Sequence, residues 1–386
     1  MDIVLSSIQR LLHYIESESY KGYDPYDALT SPLFILPFLK HNKTLRFAAQ
    51  QFLKRFPLNL RPALFISKGY NPVTLGLCLQ AYTSLLDVFP SQNIEFENKI
   101  QFLITELKKL IPEGFHGACW GYDFPWQSRY AEIPAFQPNM VATGIITNAL
   151  YICYKRTGSA EALALCKSAA GFVLHDLQRT FDGDSFCFSY SPFDQQQVYN
   201  ASAKGMRLLA QVYAETRDEN LNHTAGMAKT YLIKHQQPDG SWYYSEIGKW
   251  IDNYHTGYVL DCLGEYSKCT GDDTINPYVA NGFEFYNSHF ITAGGIPKFS
   301  PGLVFPVDCT AAGQTLLTLT RFNAMERAKI TADWMINNMQ SSSGYFYYRK
   351  YRYYRIKTSF MRWSNAWMLA GLSTVALAGV TKCQSL

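Results

Sequence analysis

Paired cysteine motifs, glycine-rich phosphate loops and unbroken apolar runs are all missing from this sequence of 386 residues. Its nine cysteines are an odd number with no CxxC among them, and Cys78, Cys153, Cys166, Cys262, Cys269 and Cys309 are scattered through helical runs. That scatter implies reduced core thiols in a cytoplasmic protein rather than a disulfide framework. Neither GxxxxGK[ST] nor GxGxxG occurs, so nucleotide chemistry has nothing to rest on. The last apolar run, Ala366 to Val380, falls short of the roughly 20 residues that span a bilayer and is broken by Gly and Ser. The opening MDIVLSSIQRLLHYIESES has no basic region ahead of a continuous apolar core, so it reads as an amphipathic helix, with neither secretion nor an anchor expected. Charge is sparse as well: 17% charged residues and a net +4 make the chain only mildly basic, which alone gives no case for nucleic acid. The 47% hydrophobic content supplies an ample core and argues against disorder.

What the sequence does have is a recurring phrase, an Asn or Asp followed five residues later by Gly. It appears as Asn71 to Gly76, Asn139 to Gly144, Asn200 to Gly205, Asp252 to Gly257 and Asp308 to Gly313, with a degenerate sixth copy from Ser364 to Gly371. Successive glycines lie 68, 61, 52, 56 and 58 residues apart. That period suits two helices and their loops, since a mean helix runs roughly 11–12 residues. The unit is therefore a helical hairpin repeated about six times. The leading Asn or Asp can cap a helix by accepting a free N–H of the first turn. Glycine inside a helix is unfavourable by about 1 kcal/mol against Ala, so its recurrence needs a packing reason, which helices crowded into a ring supply.

In chain order the pattern predicts outer helices at 3–17, 42–55, 92–110, 159–178, 220–236, 274–289 and 324–339. Inner helices are predicted at 72–87, 139–156, 200–215, 253–268, 308–322 and from about 363, with a short inner element at 31–40. The inner runs are apolar nearly all round, as helices walled in on both sides must be. Residues 182–190 alternate like a β-hairpin, and Tyr347 to Arg355, rich in Tyr and Arg, reads either as a hairpin with a solvated basic face or as a polyanion contact. The expected fold is an all-α (α/α)6 toroid, one domain over 1–386, with short β-hairpins in the loops at one mouth.

Parallel inner helices would bring their N-termini, unpaired N–H groups and partial positive charge to a common axis. Arg129 and Arg362 lie near that rim, and Lys204 about one turn inside it. Trp120, Trp126 and Trp242, with Tyr243 and Tyr244, offer flat faces for sugar rings, while Asn71, Asn139 and Asn200 offer amides. Asp24 and Asp27, in a turn, either line the mouth or serve the turn itself. The most reactive group is Asp252-Asn253-Tyr254-His255: His255 can accept a proton, Tyr254 donate one or act as second base, and Asp252 orient the ring. The bland alternative is a capping aspartate and a packed histidine. Asp308-Cys309 lacks the histidine a zinc site needs, and the Asp182 loop lacks calcium ligands, so neither metal nor cofactor is expected.

Gln237-Pro-Asp-Gly-Ser-Trp242 resembles the Q-x-x-D-G-S-W repeat of squalene cyclase and prenyltransferase toroids, although the cyclases' DxDD acid motif is absent. Trp250 to Thr256 looks like the W-D-Y-H-T stretch of glucuronyl C5-epimerases, with Asn253 departing from it, and that resemblance would put Tyr254 and His255 at a uronate site. The stretches GYDPYDAL, CWGYDFPWQ, DNYHTGYVL and FMRWSNAWM are similar to motifs of bacterial α/α-toroid proteins of surface-polysaccharide loci, across nearly the whole chain.

The expectation is an enzyme that removes and returns a proton beside a carboxylate on a uronic-acid-containing glycan or precursor. Tyr254, His255 and Asp252 would be catalytic; Asn71, Trp120, Asp123, Trp126, Arg129, Asn139, Asn200, Trp242, Asp308 and Arg362 would bind substrate. One alternative is a glycoside hydrolase or lyase using two of Asp123, Asp252 and Asp308, whose carboxyls would sit about 5 Å or 6.5–9.5 Å apart. Another is a toroid that binds a glycan or protein without catalysis.

Overall fold

The computed structural model describes residues 1–127 and 132–384. Helices of three or more turns run over Asp2–Ser17 (α1), Lys43–Arg55 (α2), Pro72–Val88 (α3), Asn93–Lys109 (α4), Met140–Thr157 (α5), Ala160–His175 (α6), Tyr199–Thr216 (α7), Glu219–Lys234 (α8), Asn253–Thr270 (α9), Asn276–His289 (α10), Cys309–Arg321 (α11), Met325–Met339 (α12) and Trp367–Gln384 (α13). The odd-numbered helices from α3 onward form a closed inner ring, each packed on the next, with α13 returning onto α3. Helices α4, α6, α8, α10 and α12 each pack outside the inner helix that precedes them, and α1 completes the outer layer against α12 and α13. The fold is an all-α (α/α)6 toroid.

Burial explains which helix goes where. Every residue of α3 from Pro72 to Leu86 is buried, whereas α4 buries only the stripe Phe96, Ile100, Leu103, Ile104 and Leu107, one face of a solvated helix. The glycines of the phrase let the inner ring close. A methyl on Gly313 would lie 2.6 Å from the carbonyl oxygen of Trp367 in α13, and one on Gly144 would lie 2.5 Å from Cβ of Lys204 in α7. Gly205 differs, since its nearest neighbours are Phe188 and Val173 rather than an inner helix.

Four of the five leading residues cap as expected: Asn71, Asn139, Asp252 and Asp308 accept N–H bonds from Val73, Ala142, His255, and Thr310 with Ala311. Asn200 does not, because α7 already begins at Tyr199, with Val198 in the capping position. The sixth copy opens on a wide π turn, Met361–Ala366, before α13.

Short antiparallel strands occupy the loops that precede inner helices. Trp126–Gln127 (β1) pairs with Glu132–Ile133 (β2), Arg179–Asp182 (β3) with Ser185–Phe188 (β4), and Tyr347–Lys350 (β6) joins Val307–Asp308 (β5) to Arg355–Ser359 (β7). The first segment departs from the expected pattern. Residues 31–40 are not an inner element: Pro32–Ile35 and Pro37–Lys40 are single turns with no buried residue, leaving Ile35 and Phe38 mostly exposed. Nor is α2 an outer helix. It packs on the Asp27–Thr30 turn and on β1, where the Gln50 side chain accepts the N–H of Gln127, and so covers the mouth. No described helix is long and apolar enough to cross a membrane.

Candidate active site at the mouth of the ring

The N-terminal ends of the inner helices enclose a cavity of about 490 Å³. The loops ahead of five inner helices contribute rings to its wall, Tyr122 and Trp126 before α5, Tyr190 before α7, Tyr244 and Trp250 before α9, Phe299 before α11 and Trp363 before α13, and Tyr26 joins them from the turn between α1 and α2. Such rings give flat apolar faces with polar edges, the surface a sugar ring stacks on. Ile145, Tyr258 and Trp367 form the floor.

On one side of the wall, Asp252 does two jobs with two oxygens. Oδ1 accepts the backbone N–H of His255 at 3.1 Å, capping α9, and Oδ2 lies 2.7 Å from Nδ1 of the His255 ring. The carboxylate therefore favours the tautomer with a proton on Nδ1, leaving Nε2 with a free lone pair. The His255 side chain is 20% exposed, enough to meet a ligand. Tyr244 and Tyr254 flank the imidazole with ring centroids 4.6 and 4.2 Å away. Burial, then the charge of Asp252, pushes the Tyr254 hydroxyl well above its ordinary range. Tyr254 is therefore held as the neutral phenol, able to donate a hydrogen bond.

Asp308 behaves differently. It is fully buried, absent from the cavity wall, and held by Arg349 Nε at 2.6 Å and Trp363 Nε1 at 3.1 Å. Arg349 and Trp363 do reach the wall, so Asp308 fixes groups that face a ligand. Arg362 also lines the cavity, tied to Asp24 by two bonds of 2.6 and 2.9 Å. Asp24 and the Arg61-paired Asp27 are buried structural partners and do not line it. Asp252 is the lone carboxylate among the described wall residues, against Lys54, Arg55, Arg349 and Arg362.

Three polar atoms on this wall, from two side chains, lack protein partners. Both side-chain amide atoms of Asn200, 1% exposed, are unbonded, as is Nε1 of Trp126. Lys54, 9% exposed, donates to the Tyr26 hydroxyl and lies 4.0 Å over that ring with no carboxylate in reach. Its burial pulls the ammonium pKa down. Buried polar groups in folded proteins are nearly always bonded, so three orphans facing one cavity mark where a ligand would complete the set. Lys54 escapes a reading of sequence because FLKR resembles the solvated end of an outer helix; only the placement of α2 over the mouth brings it in.

Other expected binding residues lie elsewhere. Trp120 and Trp242 are buried in the walls, each donating Nε1 at 2.9 Å to a carbonyl near the end of an outer helix, Leu107 and Leu232 respectively. Asn71 and Asn139 are spent on capping and do not reach the cavity. Asp123 is off the wall, bonded to Asn71, with burial raising its pKa to about 6. Lys204 lies below the floor, beyond Tyr258. Arg129 falls outside the described residues. No group of three or more His, Cys, Asp or Glu side chains among the described residues is placed to hold a metal.

This fold and mouth define an α/α toroid with an aromatic, cation-rich cavity, and solved toroids of the same build exist. A GH76 α-mannanase of Bacteroides thetaiotaomicron is similar over 81% of this chain and 87% of its own, at 12% identity and a TM-score of 0.58. A cellobiose 2-epimerase from Bacillus thermoamylovorans matches over 81% and 88%, at 12% identity and a TM-score of 0.60. An unsaturated glucuronyl hydrolase specific for heparin matches over 81% and 87%, at 13% identity and a TM-score of 0.57. At such identities the likeness is one of fold. No family model and no curated protein matches the sequence.

Proposed function

We propose that the chain is a single-domain, cytoplasmic toroid enzyme acting on a uronic-acid-containing glycan or precursor, in polysaccharide biosynthesis or modification. The reaction is C5 proton abstraction and return. The observation that carries this reading is the Asp252–His255 pair, standing on a wall with no second carboxylate among its described residues. Nε2 of His255 accepts the C5 proton while Asp252 steadies the imidazolium that forms. The Tyr254 hydroxyl delivers a proton to the opposite face of C5, and the phenolate so formed is reprotonated as the His255 imidazolium gives up the proton it took. Arg349, Arg362 and Lys54 offset the charge that develops on the substrate carboxylate as the enolate forms. The toroids it resembles in fold include enzymes named as epimerases, a mannanase and a glucuronyl hydrolase, which is in keeping with a sugar in this cavity.

A hydrolase with two acidic residues is less well supported, since Asp123 and Asp308 both lie off the wall. A toroid that only binds a glycan uses the same orphan donors of Asn200 and Trp126, so the two readings part on His255. Binding of acidic oligosaccharides can be followed by fluorescence of the cavity tryptophans, and conversion by NMR, in wild type and His255→Ala. The enzyme reading requires binding in both and conversion in wild type alone. Binding with no conversion of any uronate-containing substrate by wild type would leave the non-catalytic reading.

A further inference from the structure

Beneath the floor of Ile145, Tyr258 and Trp367, the ring encloses a second cavity of about 410 Å³. Polar side chains reach it from five inner helices: Gln80 of α3, Asn148 of α5, Lys204 and Arg207 of α7, Asp261 of α9 and Arg321 of α11. Arg321 already serves the carboxylates here, lying 2.8 Å from Glu265 and 3.7 Å from Asp261. Lys204 and Arg207 have no such partner within ion-pair reach. Lys204 is 2% exposed, and its ammonium sits 3.6 Å over the Tyr258 ring without a hydrogen bond to the protein. Arg207, 6% exposed, donates to the Gly144 carbonyl at 2.7 Å. The Gln80 amide and Nδ2 of Asn148 are likewise unbonded donors. Gly144 lets the lysine pass: a methyl there would lie 2.5 Å from Lys204 Cβ and 3.1 Å from its Cγ and Cδ.

Two buried cations with no carboxylate in ion-pair contact, beside free amide donors in one cavity, form an arrangement that an anion relieves. A cation would add to the excess charge, and a neutral polyol would leave it unpaired. We propose that this cavity binds a small oxyanion, a carboxylate or inorganic phosphate, with Lys204 and Arg207 supplying charge and Gln80 and Asn148 supplying neutral hydrogen bonds. The proposal is independent of what the mouth binds.

Burial draws the Lys204 pKa down to about 7. The titratable groups facing it are Arg207 on its own helix, Cys262, Asp261 and Lys268 on α9 and Arg321 on α11, with Cys262 the strongest of them; α3, α5 and α13 present uncharged side chains. Without an anion, the unfolded chain holds a proton that the folded one has released between about pH 7 and the ordinary lysine value near 10.4, so Lys204 makes stability rise with pH across that window. An anion that prefers the ammonium reverses the shift, and its binding weakens as pH rises above about 7.

Thermal unfolding of the full chain at pH 6.5 tests this, in inorganic phosphate, in malonate and in chloride at matched ionic strength. Phosphate, malonate or both should raise the melting temperature of wild type with increasing concentration, and the arm that does so names the source. Lys204→Met should be more stable than wild type in chloride and should lose the anion effect. Gln80→Leu, which keeps both cations, should need at least about tenfold more anion for the same shift. Lys54→Met, which alters only the mouth, should respond like wild type. The proposal is overturned if neither anion exceeds chloride, if Lys204→Met responds like wild type, or if the effect disappears in Lys54→Met.

Discussion

Helices α9 and α11 begin with the same phrase, yet their leading aspartates have opposite fates. Asp252 caps α9 and spends its second oxygen on a histidine at the cavity wall, while Asp308 caps α11 and spends its second on Arg349 in the interior. The difference comes from the residues just after each cap and from the groups that face it. His255 stands three residues after Asp252 and turns back onto it, whereas Cys309 and Thr310 give Asp308 nothing to orient, and β6 brings an arginine instead. One phrase thus yields a reactive pair in one repeat and a structural lock in another. Repeat position alone does not assign a role.

The largest effect that would sharpen this contrast is on turnover. His255→Ala should lower conversion of an acidic sugar by about 10²- to 10⁴-fold, the usual contribution of a positioned general base, with the melting temperature little changed. Asp252→Asn should fall with it in rate but not in stability, because asparagine caps as well as aspartate does. Asp308→Asn should do the reverse of a purely catalytic change. It strands the buried Arg349 and should cost about 3–5 kcal/mol in chemical denaturation, the range for breaking a buried pair. Equal stability losses for Asp252→Asn and Asp308→Asn would dissolve the distinction. A smaller effect is expected from Lys54→Met, which should weaken binding of acidic but not neutral oligosaccharides by about tenfold, or ~1.4 kcal/mol, in calorimetric titration. The smallest belongs to Trp242→Phe, which loses the bond to Leu232 and should lower stability by about 1 kcal/mol while leaving turnover unaffected.

The ring was legible from sequence because one physical constraint, close contact between neighbouring inner helices, acts at five of the six glycines of the phrase and holds them at nearly the same place. The caps and the Asp252–His255 pair were legible for a related reason: both are local, set by residues within three positions of each other. What stayed hidden depends on long-range placement. Residues 31–61 have no inward-facing period, and exposed Ile35 and Phe38 imitate a buried run. Trp120 and Trp242 look like binding aromatics in loops, but a carbonyl at the end of each preceding outer helix draws them inward. Asn200 follows the capping pattern, yet an earlier start to α7 frees its amide for the cavity. Lys54 and Lys204 acquire meaning only from long-range placement, which buries each with no carboxylate in ion-pair contact.

The most direct test of the account is isotope exchange: incubate wild type with uronate-containing oligosaccharides in deuterated water and follow C5 by NMR and the chain length by mass spectrometry. The account predicts deuterium at C5 with no new reducing ends, and none in His255→Ala. New reducing ends without deuterium at C5 would contradict it and favour cleavage at this mouth instead.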